Sequence, residues 1–444
     1  MSTQPFDLVI RADRAVVDGA ERPASVGVRR GRVAEIGPRD ADWSAAAEVV
    51  LADDEVLIPG MVDTHVHVNE PGRTEWEGFA SATRAALRGG TTTIVDMPLN
   101  SLPPTTTVDA LEIKQKAADG QCFVDVGFWG GAVPGNVEDL LPLHDAGVFG
   151  FKCFLIDSGV PEFPPLSPKQ LREHMRRTAL IGALMIVHAE SAAEIDAAPT
   201  VPGPRYADFV ASRPDASEVS AIKVVIDTMR ETGSRAHILH LSSAEALPLI
   251  RDAKREGLPL TVETCPHYLS FTAEAIRDGS TAHKCCPPIR SSENQTRLWK
   301  ALADGTIDCV VSDHSPSTAD LKTDDFQTAW GGVASVQVAL AAVWTGARER
   351  GHGLADVVRW MSERSAQVAG LQHKGGIRVG ADADLVAFAP DEVTHVTAAG
   401  LEHKNPVTAY DELDLTGVAR RVWLRGNEIS TERADGRFLE RGEA

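Results

Sequence analysis

The chain has 444 residues, 43% of them hydrophobic, and a formal net charge of −19. That length holds one large domain plus a smaller one and buries a sizeable core. The acidic balance makes nucleic acid and anionic membranes poor partners. No run reaches the roughly 18–20 apolar residues of a membrane span, and the opening Met1–Asp7 lacks the basic and then apolar pattern of a signal peptide. A cytoplasmic enzyme acting on a small molecule is the expectation.

In chain order, residues 1–57 read as β-structure. Short alternating runs such as Phe6–Ile10 and Val26–Val28 are broken by turn signals at Asp18-Gly19 and Gly31. From residue 58 short apolar runs alternate with helix-like stretches such as Glu77–Arg88 and Ser242–Arg255. Eight such runs occur: Met61–Val66, Thr91–Met97, Cys122–Phe128, Val148–Leu155, Ala183–His188, Ala236–Leu241, Pro259–Cys265 and Asp308–Asp313. Eight strand-plus-helix units over this length predict an α/β protein of the (β/α)8 barrel class. A doubly wound open sheet is the alternative, but no glycine-rich phosphate loop follows any run. After residue 375 β-texture returns, in Gly376–Phe388 and in Arg421–Ile429. The two chain ends, 1–57 and 376–444, are expected to join in a small flanking β-sandwich domain, with 58–375 as the barrel. The polar tail Arg433–Ala444 is expected to be loosely held. Cys122, Cys153, Cys265, Cys285, Cys286 and Cys309 form no C-x-x-C pair, so buried free thiols are expected rather than disulfides or thiolate-bound zinc.

Polar residues at the ends of these runs carry the chemistry. His65 and His67 close the first run, two apart, so on a strand both project from one face. Lys152 lies inside the fourth run, His188 ends the fifth, His240 the sixth and Asp313 the eighth. Barrel active sites form at the C-terminal ends of the strands, so these six residues meet at one mouth. Imidazole and carboxylate are ligands for divalent metals. Lys152 is flanked by Phe151, Phe154 and Leu155, and burial favours the neutral amine. A neutral amine adds CO2 to give a carbamate, an anion able to bridge two cations. Of the remaining histidines, His237 and His314 are expected to face away from the site, and His144 and His174 lie in helix-like stretches. His267 follows the seventh run and is positioned to reach the pocket.

The segments Asp63–Phe79, Gly89–Asn100, Gly150–Phe154, Val187–Glu190, His240–Ser243, Cys265–Tyr268, Pro287–Arg290 and Val311–Pro316 resemble the metal-dependent amidohydrolase superfamily. Within its cyclic-amidase branch they are most similar to the allantoinases. The resemblance covers nearly the whole chain. It implies two divalent metals per subunit, zinc foremost, with manganese, cobalt or iron compatible. His65, His67 and Asp313 would hold one, His188 and His240 the other, and N6-carboxylated Lys152 would bridge them. It also implies a homotetramer and hydrolytic opening of (S)-allantoin to allantoate, with Asp313 as the proton shuttle. Two rival readings stand beside it: a hydantoinase or dihydropyrimidinase-type cyclic amide hydrolase, and a non-catalytic paralogue, against which all six ligand positions are retained.

Local departures bear on specificity. Dihydroorotases place an arginine two residues after the second histidine to hold the substrate carboxylate; here Asn69 stands there, followed by Glu70. Hydantoinases carry a tyrosine in the loop after the bridging lysine; here Leu155–Gly159 has none. A neutral ureido arm suits polar neutral groups, and Asn100 is the leading substrate candidate, with His267, Cys286 and Gly332 beside it and Arg73 a weaker one. Cys286 replaces the serine usual at that position, a change that a backbone contact would survive.

Overall fold

The structure is a computed structural model that describes residues 5–442; residues 1–4, part of the opening read above for a leader, and 443–444 lie outside the described residues. Five strands open the chain: β1 (Phe6–Val17), β2 (Ala20–Arg29), β3 (Arg32–Gly37), β4 (Ala45–Val50) and β5 (Val56–Pro59). Asp18 and Gly19, both at positive φ, turn β1 into β2, and Arg30 and Gly31 turn β2 into β3 in the same way. Paired left-handed residues give the tight turn whose twist suits antiparallel strands.

The barrel follows: β6 (Met61–Val66), β7 (Thr91–Asp96), β8 (Asp125–Phe128), β9 (Gly130–Gly131), β10 (Phe151–Phe154), β11 (Leu184–His188), β12 (Arg235–Ile238), β13 (Leu260–Thr264) and β14 (Cys309–Val310). Each pairs its neighbour in parallel. β8 and β9 are two halves of one strand. Trp129 between them donates its N–H to Asp96 O at 3.0 Å, and Gly130 donates to Gly150 O at 2.9 Å, so the ladder changes partner without a gap. The ring closes where Val66 pairs with His314 in parallel and His67 N donates to His314 O at 2.8 Å. Each of the eight apolar runs therefore supplies one barrel strand. β6, β7, β8, β10 and β11 are buried along their whole length, as expected for parallel strands covered on both faces. Outer helices connect them. Pro168–Ile181 shows why its sequence makes a helix: Ser167 and Gln170 form a capping box, Pro168 occupies the first turn, and Gly182 at φ 70° ends it.

Past the barrel the chain adds β15 (Leu385–His395), β16 (Asp414–Leu424) and β17 (Asn427–Ile429). These join the first five strands in one eight-stranded sheet, ordered β17-β16-β15-β5-β1-β2-β3, with β4 also on β1. The flanking layer is thus one continuous sheet, in which the long β1 pairs β4 with its first half and meets β5 near its end. Leu8, Ile10, Val26, Leu57, Leu385 and Trp423 share its core.

Residues 443–444 of the tail lie outside the described residues, and the rest of it is not loosely held. Gly436 donates to Cys122 O, Val126 to Arg437 O and Leu439 to Val126 O. Leu439 is buried, and Phe438 packs edge-on against Phe128. Polar composition hid an edge pairing with β8. Nearby, at the end of the barrel away from the mouth, Lys374 is buried among three carboxylates. Its Nζ lies 2.6 Å from Asp125, 2.6 Å from Asp384 and 3.0 Å from Asp382. Arg425 adds a second cation on Asp125 at 2.6 Å. Against the cost of burial, Asp384, Asp125 and Asp382 hold the Lys374 ammonium well above its ordinary pKa. Removing the cation strands buried negative charge, so Lys374→Met is expected to destabilise the fold by about 3–5 kcal/mol. Chemical denaturation reads this as a lower midpoint, and an unchanged midpoint would contradict it. Among the described residues no helix is long and apolar enough to cross a membrane.

Candidate metal centre and substrate cavity

A cavity of about 360 Å³ opens at the C-terminal ends of the barrel strands. His65, His67, Lys152, His188, His240 and Asp313 all line it. Six side chains read from five of the eight apolar runs therefore converge. Two arrive on strained backbone. His240 has φ 36° and Asp313 φ 47°, a left-handed conformation that non-glycine residues adopt at a cost. β12 ends at Ile238 and β14 at Val310, so the strand alternation has stopped before either residue, and the turned backbone aims the side chain.

Two groupings are visible. His65 Nε2 lies 3.2 Å from Asp313 Oδ1, and His67 Nε2 lies 4.0 Å from the same oxygen. On the other side His188 Nδ1 faces His240 Nε2 at 3.0 Å. Lys152 stands between them, with Nζ 3.4 Å from His65 Nε2 and 4.9 Å from the Phe154 ring centre. The Phe154 ring stacks on His188. Lys152 is buried, and burial pulls its pKa down to about 8, with Asp313 and Glu263 opposing. Burial likewise lowers the pKa of His188 and pushes those of His67 and His240 well below the ordinary range. These rings are neutral, with lone pairs available.

The donor set matches what a divalent metal requires. In a tetrahedral site with Zn–N of about 2.0–2.1 Å, ligand nitrogens sit roughly 3.3 Å apart; the His188 and His240 nitrogens are 3.0 Å apart. The donor atoms of His65, His67 and Asp313 lie within 4.8 Å of one another. His67 Nδ1 and His240 Nδ1 are buried without a hydrogen-bond partner. The residues fit the group.

Two buried glutamates absent from the sequence-read site orient these rings. Glu263 Oε1 accepts from His65 Nδ1 at 2.5 Å and from the His240 backbone N at 3.2 Å, while its Oε2 accepts from His237 Nε2 at 2.9 Å. Burial would raise its pKa, but His65 and His237 hold it at about 2. Glu190 Oε2 takes His188 Nε2 at 2.8 Å and Arg213 Nη1 at 2.7 Å. Each carboxylate only accepts, so each fixes which ring nitrogen carries the proton and leaves the other to face the centre. The signal for Glu263 was an acid inside the apolar run Leu260–Thr264. His237, expected to face away, buttresses the site through Glu263. His314 is held by Glu77 at 3.2 Å and by the Ser335 backbone N–H at 3.0 Å.

The substrate candidates separate. Asn100, Cys286 and Gly332 line the cavity. Gly332, at φ 134°, passes so close to Ser315 that a Cβ would collide with its carbonyl oxygen. His267 does not line it. That ring is buried behind Asp313, beside Cys265, with both nitrogens unpartnered among the described residues and its pKa pushed by burial down to about 3. Arg73 is also off the wall; its Nη1 donates to Asn100 O at 2.6 Å and stiffens that loop. Missed by sequence were Ser315 and the wall segment 327–331 that leads into Gly332. Lys284 pins the Gln327 and Ala329 carbonyls, and Lys322, held by burial at about 7, pins those of Trp330 and Gly332.

Asn69 and Asn100 form an amide relay at the rim, both on left-handed backbone. Asn69 Nδ2 donates to Pro316 O at 3.3 Å, and Asn100 Nδ2 donates to Asn69 Oδ1 at 3.1 Å. A carbonyl cannot donate, so Pro316 sets the direction of the chain, and Asn100 is left with an acceptor, Oδ1.

Comparison with known proteins agrees with this geometry. The Amidohydrolase family model matches residues 56–429. An allantoinase of Streptomyces avermitilis is 57% identical over 434 residues, covering 98% of this chain and 97% of that protein. An allantoinase of Saccharomyces cerevisiae is 42% identical, covering 95% of each. Among solved structures, the L-hydantoinase (dihydropyrimidinase) from Arthrobacter aurescens superposes with a TM-score of 0.91 at 30% identity, covering 98% of this chain and all of that one.

Proposed function

We infer that this chain, which belongs to the amidohydrolase family and within it to the allantoinases, opens the ring of allantoin by hydrolysis to give allantoate. The single observation that carries the reading from family to chemistry is the convergence of four imidazoles, one buried lysine and one carboxylate on one cavity. In this reading His65, His67 and Asp313 would hold one divalent metal and His188 and His240 the other, and N6-carboxylated Lys152 would supply an anionic ligand between them. Zinc suits the nitrogen-rich set, and manganese, cobalt or iron also suit it. When bound, such ions supply Lewis acidity at the ring carbonyl and an activated water. Asp313 takes the proton from the attacking water and delivers it to the ring nitrogen that leaves. Glu263 and Glu190 keep the histidine rings in the protonation and orientation this needs.

The same reading makes the enzyme a cytoplasmic homotetramer without nucleic-acid or membrane partners, in keeping with its net charge of −19. It divides the chain into a barrel at 58–375 and a composite β-unit from 1–57 and 376–444. On substrate, Asn100 Oδ1 offers an acceptor to the N–H groups of a ureido arm and repels a carboxylate such as that of dihydroorotate. Cys286 contributes its backbone and Gly332 its close approach.

The test is a set of rates on allantoin, hydantoin, dihydrouracil and dihydroorotate under one metal condition. Allantoin is expected to have the highest kcat/KM. A higher value for any of the other three returns the enzyme to the wider cyclic-amidase class. Asn100→Ala is expected to lower kcat/KM on allantoin about 10-fold, the loss of a hydrogen bond of roughly 1–1.5 kcal/mol. Hydantoin lacks the arm, so its rate is expected to change little.

A further inference from the structure

Glu190 is not a member of the ligand set, yet its carboxylate bonds one of those residues, His188, directly. It lies two residues past His188 and is fully buried. One oxygen, Oε2, serves both His188 Nε2 and Arg213 Nη1, and the other, Oε1, has no partner among the described residues. Arg213 follows the helix Tyr206–Ser212 and reaches the cavity wall, with its side chain one-fifth exposed. A buried ion pair of this kind adds little net stability, and this one leaves half of its carboxylate unbonded. What it does accomplish is directional. Nε2 of His188 must carry the proton to donate to Oε2, so Nδ1 keeps its lone pair and points toward His240 Nε2 at 3.0 Å.

The parallel grouping has its own carboxylate, Glu263, tied to His65, His237 and the His240 backbone. Glu263 is thus anchored from three sides by the barrel itself. Glu190 is anchored on its far side only by Arg213. We propose that Glu190, held by Arg213, is a positioning residue that fixes the tautomer and ring angle of His188 and so sets how tightly the second metal position is held. This rests on the two-metal reading above. Arg213 acts one step further out, through Glu190, because its planar guanidinium places the shared oxygen.

The test compares Glu190→Ala, Glu190→Gln, Arg213→Ala and Arg213→Lys with the wild type. Divalent metal per folded chain is measured after dialysis, then zinc is titrated back, with thermal melts as the control for folding. Glu190→Ala is expected to fall from about two metals per chain to about one. Its second zinc affinity should weaken 10–100-fold, the usual consequence of losing such a partner. Excess zinc should restore turnover with KM unchanged. Glu190→Gln keeps an oxygen able to accept from both neighbours and is expected to lose less than 10-fold. Arg213→Ala should resemble Glu190→Ala, and Arg213→Lys should recover part of the loss. A Glu190→Ala protein that holds two zinc ions with wild-type affinity would overturn the proposal, as would equal losses in the alanine and glutamine variants. Metal loading does not depend on which cyclic amide is turned over. A chain that failed to open allantoin but lost its second metal on Glu190→Ala would sink the substrate reading and leave this one standing.

Discussion

Asp313→Asn is expected to lower kcat on allantoin by about 10³-fold while KM stays within roughly threefold. In the proposed mechanism the proton that Asp313 would move is transferred only on the way to the transition state, so losing the carboxylate costs rate and not binding. Asparagine keeps the side chain's shape and one neutral oxygen, and that oxygen can still sit 3.2 Å from His65 as Oδ1 does now. Metal content is therefore expected to hold near the wild-type value, which separates a lost proton shuttle from a lost ligand. The pH profile gives a second readout. A carboxylate base works only when ionised, so the wild-type rate should fall as pH drops through its pKa. The variant has no such group and should lack that acid limb. A turnover within 10-fold of wild type, with metal retained, would remove Asp313 from the mechanism.

Much of the site could be read in the sequence because barrel geometry turns chain position into spatial position. Each strand ends at the same mouth, so His65, His188 and Asp313, 248 residues apart at the extremes by their numbers 65 and 313, become neighbours once eight runs are counted. What period-2 alternation could not give was the aim of a side chain past a strand end, or the residues that support it there. β12 stops at Ile238 and His240 turns on a positive φ, so His237 reached the centre's support through Glu263 although three residues from a ligand. Glu190 and Arg213 lie 23 residues apart, a contact no local pattern announces. The 327–331 wall, leading into Gly332, owes its place to Lys284 and Lys322 gripping backbone carbonyls, which leaves no side-chain motif to find. The tail was misjudged for a related reason. Its pairing with β8 is made by backbone atoms, to which composition is blind, and only Phe438 and Leu439 add apolar contact.

Lys152→Ala is expected to show the other large effect, a loss of activity of 10³-fold or more together with a fall from about two metals per chain to one or fewer. Among the described residues no carboxylate lies within ion-pair distance of this buried amine, which sits 3.4 Å from a histidine nitrogen and 4.9 Å from the Phe154 ring centre. Burial holds its pKa at about 8 against an ordinary value of 10.5. At pH 7 about one amine in ten is therefore neutral, compared with well under one in a thousand for an exposed lysine. The neutral amine is the form that takes up CO2, and in the proposed centre the resulting carbamate would supply an anion for the two cations. The sign of the pH dependence follows. Raising pH through 8 in the metal-free protein increases the neutral fraction, so metal loading should quicken from pH 6.5 to pH 8.5 by roughly 20-fold at fixed dissolved CO2. It should stall in CO2-free buffer. In the alanine variant neither dependence should survive, and a short carboxylic acid such as acetate or propionate, filling the vacated space with a carboxylate, should recover part of the metal and part of the rate. Wild-type protein that loads two metals at full speed without CO2 would show that Lys152 acts as an unmodified amine.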